Sequence, residues 1–348
     1  MTKHRKDTIL GNAGRHPEEN FGIVNPPVYH ASTVTFPTVA ALEDASNHPL
    51  EGVYYGRFGT PTSRAFEEAV AALEGGGRCI ALPSGLAAIT CALLSFLKTG
   101  DHILVTDSAY FPTRKFCDGI LKNFGVETTY FDPMIAGGIE DLMRPETKVV
   151  FVESPGSLSF EVQDIPAIAT AAHAAHNGGA MVIMDNTWSA GLYFDAFAHG
   201  VDVSVQAATK YIVGHSDAML GTITTRDDLY ERIKWKAVEL GFSVGPDDCY
   251  LGLRGLRTLI TRLQRHRETA MALAQFLSTR DEVARVLHPA FPDCPGHDVW
   301  RRDFTGATGL FTVVLKDTFA KQDLAAMLDG LELFAMGYSW GGFESLIL

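Results

Sequence analysis

The sequence predicts an α/β fold: a three-layer arrangement in which a mostly parallel sheet is covered by helices on both faces, followed by a small α+β unit. Two observations carry this reading. From about residue 63 to 255, short apolar, β-branched runs alternate with longer amphipathic stretches, the order of strands joined by crossover helices. The strand candidates are also short and spaced by helices of ten to fifteen residues, which indicates a mostly parallel sheet covered on both faces. They fall at 101–106, 126–131, 148–153, 180–184 and 202–206, with helix candidates at 64–74, 85–97 and 112–123.

Three segments follow from the same pattern. Residues 1–60 are irregular and rich in Pro, Gly and aromatics, as in Asn25-Pro26-Pro27 and Phe36-Pro37, and read as an arm that wraps another surface. Residues 61–255 form the main α/β domain. Residues 256–348 read as a smaller α+β domain, with strands at Val283 to Leu287, Leu310 to Leu315 and Leu331 to Ala335 and a helix at Lys321 to Leu328. The uncharged stretch from Cys79 to Leu97 approaches the length of a membrane span. Pro83-Ser84-Gly85 splits it into a strand and a helix with Leu86, Ile89, Leu93 and Leu97 on one face, so no membrane segment is expected.

Composition narrows the function. With 348 residues, 46% hydrophobic and 20% charged, the chain can bury a large core. Its net charge of -12 argues against a nucleic-acid partner, because such binding rests on Lys and Arg neutralising phosphates. The five cysteines, Cys79, Cys91, Cys117, Cys249 and Cys294, form no C-x-x-C pair and suggest reduced thiols in the cytoplasm. The basic start, Met1 to Lys6, is followed by no apolar signal-peptide core.

The chemistry-bearing residues lie at strand ends. The run Val203 to Thr209 leads into Lys210, and the run Val182-Ile183-Met184 ends on Asp185. Ligands of α/β sheets bind at the carboxyl ends of parallel strands, so an amine and a carboxylate can meet there over one small molecule. An imine-forming amine and an acid for a ring nitrogen are what pyridoxal phosphate needs. Alone, Asp185 is more often a turn or cap residue, and most lysines are solvated surface; the pairing raises both.

Other candidates are weaker singly. Pro83-Ser84-Gly85-Leu86 opens a helix whose free N–H groups suit a phosphate, although Ser84 as a plain cap explains the same residues. Tyr55 and Arg57 in Tyr54-Tyr55-Gly56-Arg57 could clamp a phosphate or be an aromatic turn. Tyr110 could stack on a flat cofactor or be core. Thr209 offers a hydroxyl to phosphate. His173 and His176, three apart, are better read as helix surface than as a metal pair, and no metal is expected. The arginine row Arg254, Arg257, Arg262, Arg265 and Arg267 reads as the solvated or subunit-facing side of a long helical stretch. The glycine-rich dinucleotide and P-loop motifs and the nucleophile-elbow motif are missing.

Taken together, Ala207-Ala208-Thr209-Lys210-Tyr211 through Gly214-His215-Ser216-Asp217, Met184-Asp185-Asn186-Thr187, Tyr55-Gly56-Arg57 and Ser339-Trp340-Gly341-Gly342-Phe343-Glu344-Ser345 resemble the Cys/Met-metabolism family of fold-type I pyridoxal-phosphate enzymes, over nearly the whole chain. The resemblance implies that Lys210 anchors the cofactor covalently and carries the Cα proton, that Asp185 pairs with the pyridine nitrogen, and that Tyr110 stacks on the ring. It implies that Gly85, Leu86 and Thr209 hold the phosphate, with Tyr55 and Arg57 reaching in from a neighbouring subunit of a homo-oligomer, a dimer or tetramer. Ser339, Trp340 and Tyr110 would meet the substrate, a small sulfur amino acid. Trp340 within Ser-Trp-Gly-Gly resembles the branch performing β-elimination on substrates such as L-cystathionine. The alternatives are γ-chemistry, a non-catalytic cofactor-binding remnant, or another reaction of the fold such as racemisation or transamination. Two departures stand out. Ala207 occupies a position where many relatives have Ser, and there is no arginine after Arg302. The family's carboxylate-binding arginine is thus expected beyond Leu348 or is missing.

Overall fold

The computed structural model describes residues 4–348. Seven strands form the main sheet: β1 (Arg78–Leu82), β2 (His102–Thr106), β3 (Glu127–Phe131), β4 (Thr147–Glu153), β5 (Met181–Asp185), β6 (Val203–Gln206) and β7 (Gly221–Thr225). Their order is β1-β7-β6-β5-β4-β2-β3. Every pairing is parallel except those of β7, which runs antiparallel to both β1 and β6.

The alternating apolar runs explain the layers. Val149, Phe151 and Ile183 face one side, where Ile80, Val105, Val203 and Val205 join helices Gly85–Phe96 and Asp227–Glu239 in one core. Val150, Val152, Val182 and Met184 face the other side and pack on helix Ile165–Ala174, Trp188, Phe194 and Phe304. A third core joins helices Pro61–Glu74, Pro246–Leu256 and Leu259–Ser278 around Phe66, Leu253 and Leu263. The uncharged stretch is β1 plus the Gly85–Phe96 helix, and no described helix is long and apolar enough to cross a membrane. The five cysteines are buried and free.

Four expectations change. β7, Gly-Thr-Ile-Thr-Thr, was not foreseen, because its threonines look polar; they are buried, and Thr224 and Thr225 give their hydroxyls to Glu74 and to the Asp202 carbonyl. The strand leading to Lys210 ends at Gln206, and residues 208–213 form a turn. Leu331 to Ala335 is not a strand; only an isolated bridge, Ala335 to Leu346, forms there. The first sixty residues are less irregular than their composition suggests: Lys6–Asn12 and Val39–Asn47 are helical, and Leu10 is buried against the Pro61–Glu74 helix. Beyond helix Leu259–Ser278 a two-stranded antiparallel ribbon, β8 (Val283–Leu287) with β9 (Thr312–Leu315), and helix Lys321–Asp329 complete the chain.

The third core hinges on Phe66, fully buried and so close to Gly252 that a Cβ there would lie 2.7 Å from its ring. Phe66→Ala is expected to destabilise the fold by about 3–5 kcal/mol, measured as a lowered urea midpoint at unchanged slope.

Candidate active site

β1, β4, β5 and β6 all point their carboxyl ends at one edge of the sheet, as the direction of their pairings requires. That edge carries Ser84 and Gly85 after β1, Glu153 at the end of β4, Asp185 at the end of β5, and Lys210 in the turn after β6. The structure therefore brings together the amine and the carboxylate that the sequence placed at two strand ends.

Asp185 is 7% exposed. Its Oδ1 accepts the Thr187 hydroxyl at 2.5 Å and the Thr187 N–H at 3.0 Å, while Oδ2 takes no hydrogen bond among the described residues. Thr187 Oγ1 in turn accepts the N–H of Ala207 at 2.9 Å, tying the end of β5 to the turn that carries Lys210. Burial raises the Asp185 carboxyl above its ordinary range, while the Thr187 hydroxyl, the Thr187 N–H and the Lys210 charge pull the other way. Such a group favours a cation beside it.

Lys210 is half-buried, and burial lowers its amine below the usual lysine range while the Asp185 charge opposes the shift. Its Nζ donates to Ser339 Oγ at 2.7 Å and lies 5.4 Å from the centre of the Trp340 ring. Ser339 and Trp340 thus reach Lys210 from the far end of the chain. Trp340 also packs edge-on to Tyr211, with ring centres 5.0 Å apart. The turn itself is clamped from behind. Arg262 donates to the Tyr211 carbonyl at 2.7 Å and to the Gly255 carbonyl at 2.8 Å, and burial lowers its guanidinium to about 10. Gly214, at φ +70°, has no room for a side chain because Arg262 fills the space.

Two arginines of the predicted row are therefore not on a solvated face. Arg262 holds the Lys210 turn, and Arg257 donates to the carbonyls of Leu10 and Ala13 at 2.6 and 2.9 Å. His176 lies past the end of the Ile165–Ala174 helix, and His173 bonds Asp202 at 2.8 Å.

Beside Lys210, Ser84 caps the Gly85–Phe96 helix by accepting the Ala87 N–H at 3.1 Å. The N–H groups of Gly85 and Leu86 have no acceptor among the described residues, leaving two donors at a helix start. Gly85 packs against Ala207, whose Cα would lie 2.8 Å from a Cβ on residue 85. The Thr209 hydroxyl donates to the Leu220 carbonyl at 3.0 Å and accepts the Leu220 N–H at 2.8 Å, so donation to a phosphate requires its O–H to turn from the Leu220 carbonyl. Tyr110 starts helix Phe111–Phe116 and is 42% exposed. Tyr55 is 40% exposed, and Arg57 donates to the Val238 carbonyl at 2.5 Å. Neither Tyr55 nor Arg57 bonds to Lys210, Asp185 or Thr209 of its own chain.

With this geometry in hand, the comparisons with known proteins are decisive. The family described as Cys/Met metabolism PLP-dependent enzyme matches residues 7–348. The chain belongs to this family. It is 45% identical to cystathionine beta-lyase MetC of Escherichia coli, over 100% of this chain and 88% of that protein. It is 37% identical to cystathionine gamma-lyase of Homo sapiens, over 96% of this chain and 80% of that protein. Its fold matches the crystal structure of metB from Corynebacterium glutamicum with a TM-score of 0.92 and 30% identity, over 99% of this chain and 86% of that one.

Pyridoxal phosphate is thus the cofactor of this family member, and the residues fit it. Unpaired N–H groups at a helix start suit its phosphate, the buried Asp185 suits a protonated ring nitrogen, and the half-buried amine suits its aldehyde. Two residues at the edge were not singled out from the sequence for a role: Thr187, read only as a neighbour of Asp185, and Glu153. The apolar run Val149 to Val152 ending on Glu153 carries the same signal that pointed to Asp185.

Gly85→Ala is expected to weaken cofactor binding at least about tenfold, or about 1.4 kcal/mol, because the methyl group displaces Ala207 and the helix start together. Titration of the cofactor-free protein with pyridoxal phosphate, followed by visible absorbance, reads this directly.

Proposed function

We propose that the chain is a carbon–sulfur lyase that cleaves L-cystathionine and related cysteine S-conjugates by β-elimination, giving a thiol, pyruvate and ammonia. The observation that carries this is the Lys210 amine, hydrogen-bonded to Ser339 beside the Trp340 ring and within electrostatic reach of Asp185, in a chain that resembles a cystathionine β-lyase more closely than a γ-lyase.

Bound at this edge, pyridoxal phosphate supplies an electron sink conjugated to the substrate Cα. The chain's own residues do the rest. Lys210, its amine biased toward the neutral form by burial, anchors the cofactor and then takes the proton from Cα. Ser339 accepts a hydrogen bond from the Lys210 Nζ and so fixes the direction in which the amine points. Asp185, pinned by Thr187, places a negative charge where the ring nitrogen is to stay protonated. Loss of the Cα proton and breakage of the Cβ–S bond send the bonding pair to sulfur, which leaves as a thiolate and is protonated. Water converts the remaining fragment into pyruvate and ammonia. Gly85 and Leu86 would hold the phosphate with their N–H groups, joined by the Thr209 hydroxyl once it turns from the Leu220 carbonyl, and Tyr110 would supply a ring for the cofactor to stack on.

We infer also that the chain works as a homo-oligomer, with residues 1–60 contacting a neighbouring copy and Tyr55 and Arg57 meeting that copy's cofactor phosphate. The exposed Phe21, Ile23 and Val24 of the arm support this reading. Five buried free thiols fit a reducing, cytoplasmic setting.

Supplied with L-cystathionine, the protein is expected to release homocysteine and pyruvate; cysteine with 2-oxobutyrate would make it a γ-lyase instead. Lys210→Ala is expected to lower the rate at least about 10²–10⁴-fold, and hydride reduction followed by digestion should find the pyridoxyl adduct on Lys210 in the unaltered protein.

A further inference from the structure

Glu153 has no part in the chemistry above, yet it stands beside it. It is the last residue of β4, paired in register with Asp185 at the end of β5. Both side chains project on the face that carries Phe151 and Ile183. Its backbone is fixed, since its carbonyl accepts the Gln163 side-chain amide at 2.6 Å, and Gln163 donates its own N–H to Ser154 Oγ at 3.0 Å. Its carboxyl group reaches across to the next element: Oε2 accepts the N–H of Tyr110 at 2.7 Å.

That contact matters because of what Tyr110 lacks. The helix it opens, Phe111–Phe116, has no side-chain cap of its own, and Pro112 removes a donor from its first turn. The Tyr110 phenol makes no hydrogen bond among the described residues, so its ring direction depends on where its backbone is held. The phenol is pushed up by burial and then by the charges of Asp185 and Glu153, which places both carboxyl groups within electrostatic reach of it. Glu153 is itself driven well above the usual carboxyl range, first by burial and then by the Asp185 charge.

We propose that Glu153 is a positioning residue for the elimination: by accepting the Tyr110 N–H it holds the start of the Phe111–Phe116 helix and thereby keeps the Tyr110 ring over the cofactor beside Asp185. The role needs an acceptor oxygen at this place and not a negative charge. A carboxyl group offers an acceptor oxygen to this N–H in either protonation state, so the hold does not depend on ionisation beside Asp185. This inference rests on the cofactor pocket assigned above.

The test compares Glu153→Gln with Glu153→Ala in the cofactor-loaded enzyme, each alone and with Tyr110→Ala. Glu153→Gln, which keeps an acceptor oxygen, is expected to stay within about threefold of the unaltered kcat/KM. Glu153→Ala is expected to lose about 100-fold, as a misplaced ring would cause, and to change the visible circular dichroism of the bound cofactor. In the Tyr110→Ala background the loss from Glu153→Ala is expected to shrink to about twofold, because the two act through one group. The proposal is overturned if folded Glu153→Gln is as damaged as Tyr110→Ala, if Glu153→Ala keeps full activity, or if its loss is undiminished in the Tyr110→Ala background. Should Glu153→Ala not fold, Glu153→Met, which fills similar volume without a carbonyl acceptor, takes its place with the same expected loss and the same overturning result. Failure of the broader assignment would appear separately, as no turnover of cystathionine by the unaltered protein.

Discussion

The arrangement depends on one electrostatic constraint: a carboxylate buried at the end of a central strand with too little positive charge around it. Asp185 sits where β5 stops, and burial opposes its ionisation. Removing a charge from water is costly unless it is paired and hydrogen-bonded. Thr187 supplies two donors and Lys210 a partial counter-charge, itself weakened because burial also disfavours the ammonium. Each group is thus half-compensated by the other. A protonated ring nitrogen would complete the balance, and the burial that leaves Asp185 short of positive charge also lowers the Lys210 amine, which favours a nucleophile and base.

Holding those two groups in place takes structure well behind the site. Thr187 couples β5 to the 207–210 turn through the Ala207 N–H. Arg262, from a helix about fifty positions later in the chain, caps the carbonyls that the turn leaves open. Gly221 lies against the Ser84 carbonyl and Gly85 against Ala207, so β1, β6 and β7 approach closely at the edge where the Gly85 and Leu86 N–H groups are left open. Beneath the sheet, Glu74 is buried with its carboxyl raised by that burial, and takes hydroxyls from Ser204 at 2.6 Å and from Thr224. It joins the Pro61–Glu74 helix to β6 and β7. Buried polar networks of this kind specify one packing when every member is satisfied.

Much of this was legible beforehand because it is local. Period and run length marked β2 to β6 to within a residue or two, since strands of a covered sheet are rich in apolar and β-branched residues. Asp185 and Lys210 stood out because each interrupts or ends such a run. Gly85 and Leu86 stood out as the opening of a helix after a strand. β7 was missed because threonine hydroxyls look polar in a sequence, and only their partners, Glu74 and the Asp202 carbonyl, show why they can be buried. The strand proposed at Leu331 to Ala335 failed for the converse reason: an apolar run makes a strand only where a neighbouring backbone completes its ladder, and a single bridge to Leu346 is all it finds.

The sequence by itself thus determined the layered α/β architecture and the cofactor of the family, and it marked Asp185 and Lys210 as residues that follow strand runs, because strand burial and strand ends leave marks a few residues long. Tertiary structure decided what those residues touch. That Ser339 meets Lys210 across 129 positions, that Arg262 turns inward while looking like surface, and that Glu153 lies beside Asp185 are consequences of strand order and helix packing. Contacts between residues distant along the chain are set by which hydrophobic faces share a core, and a linear pattern does not contain that choice.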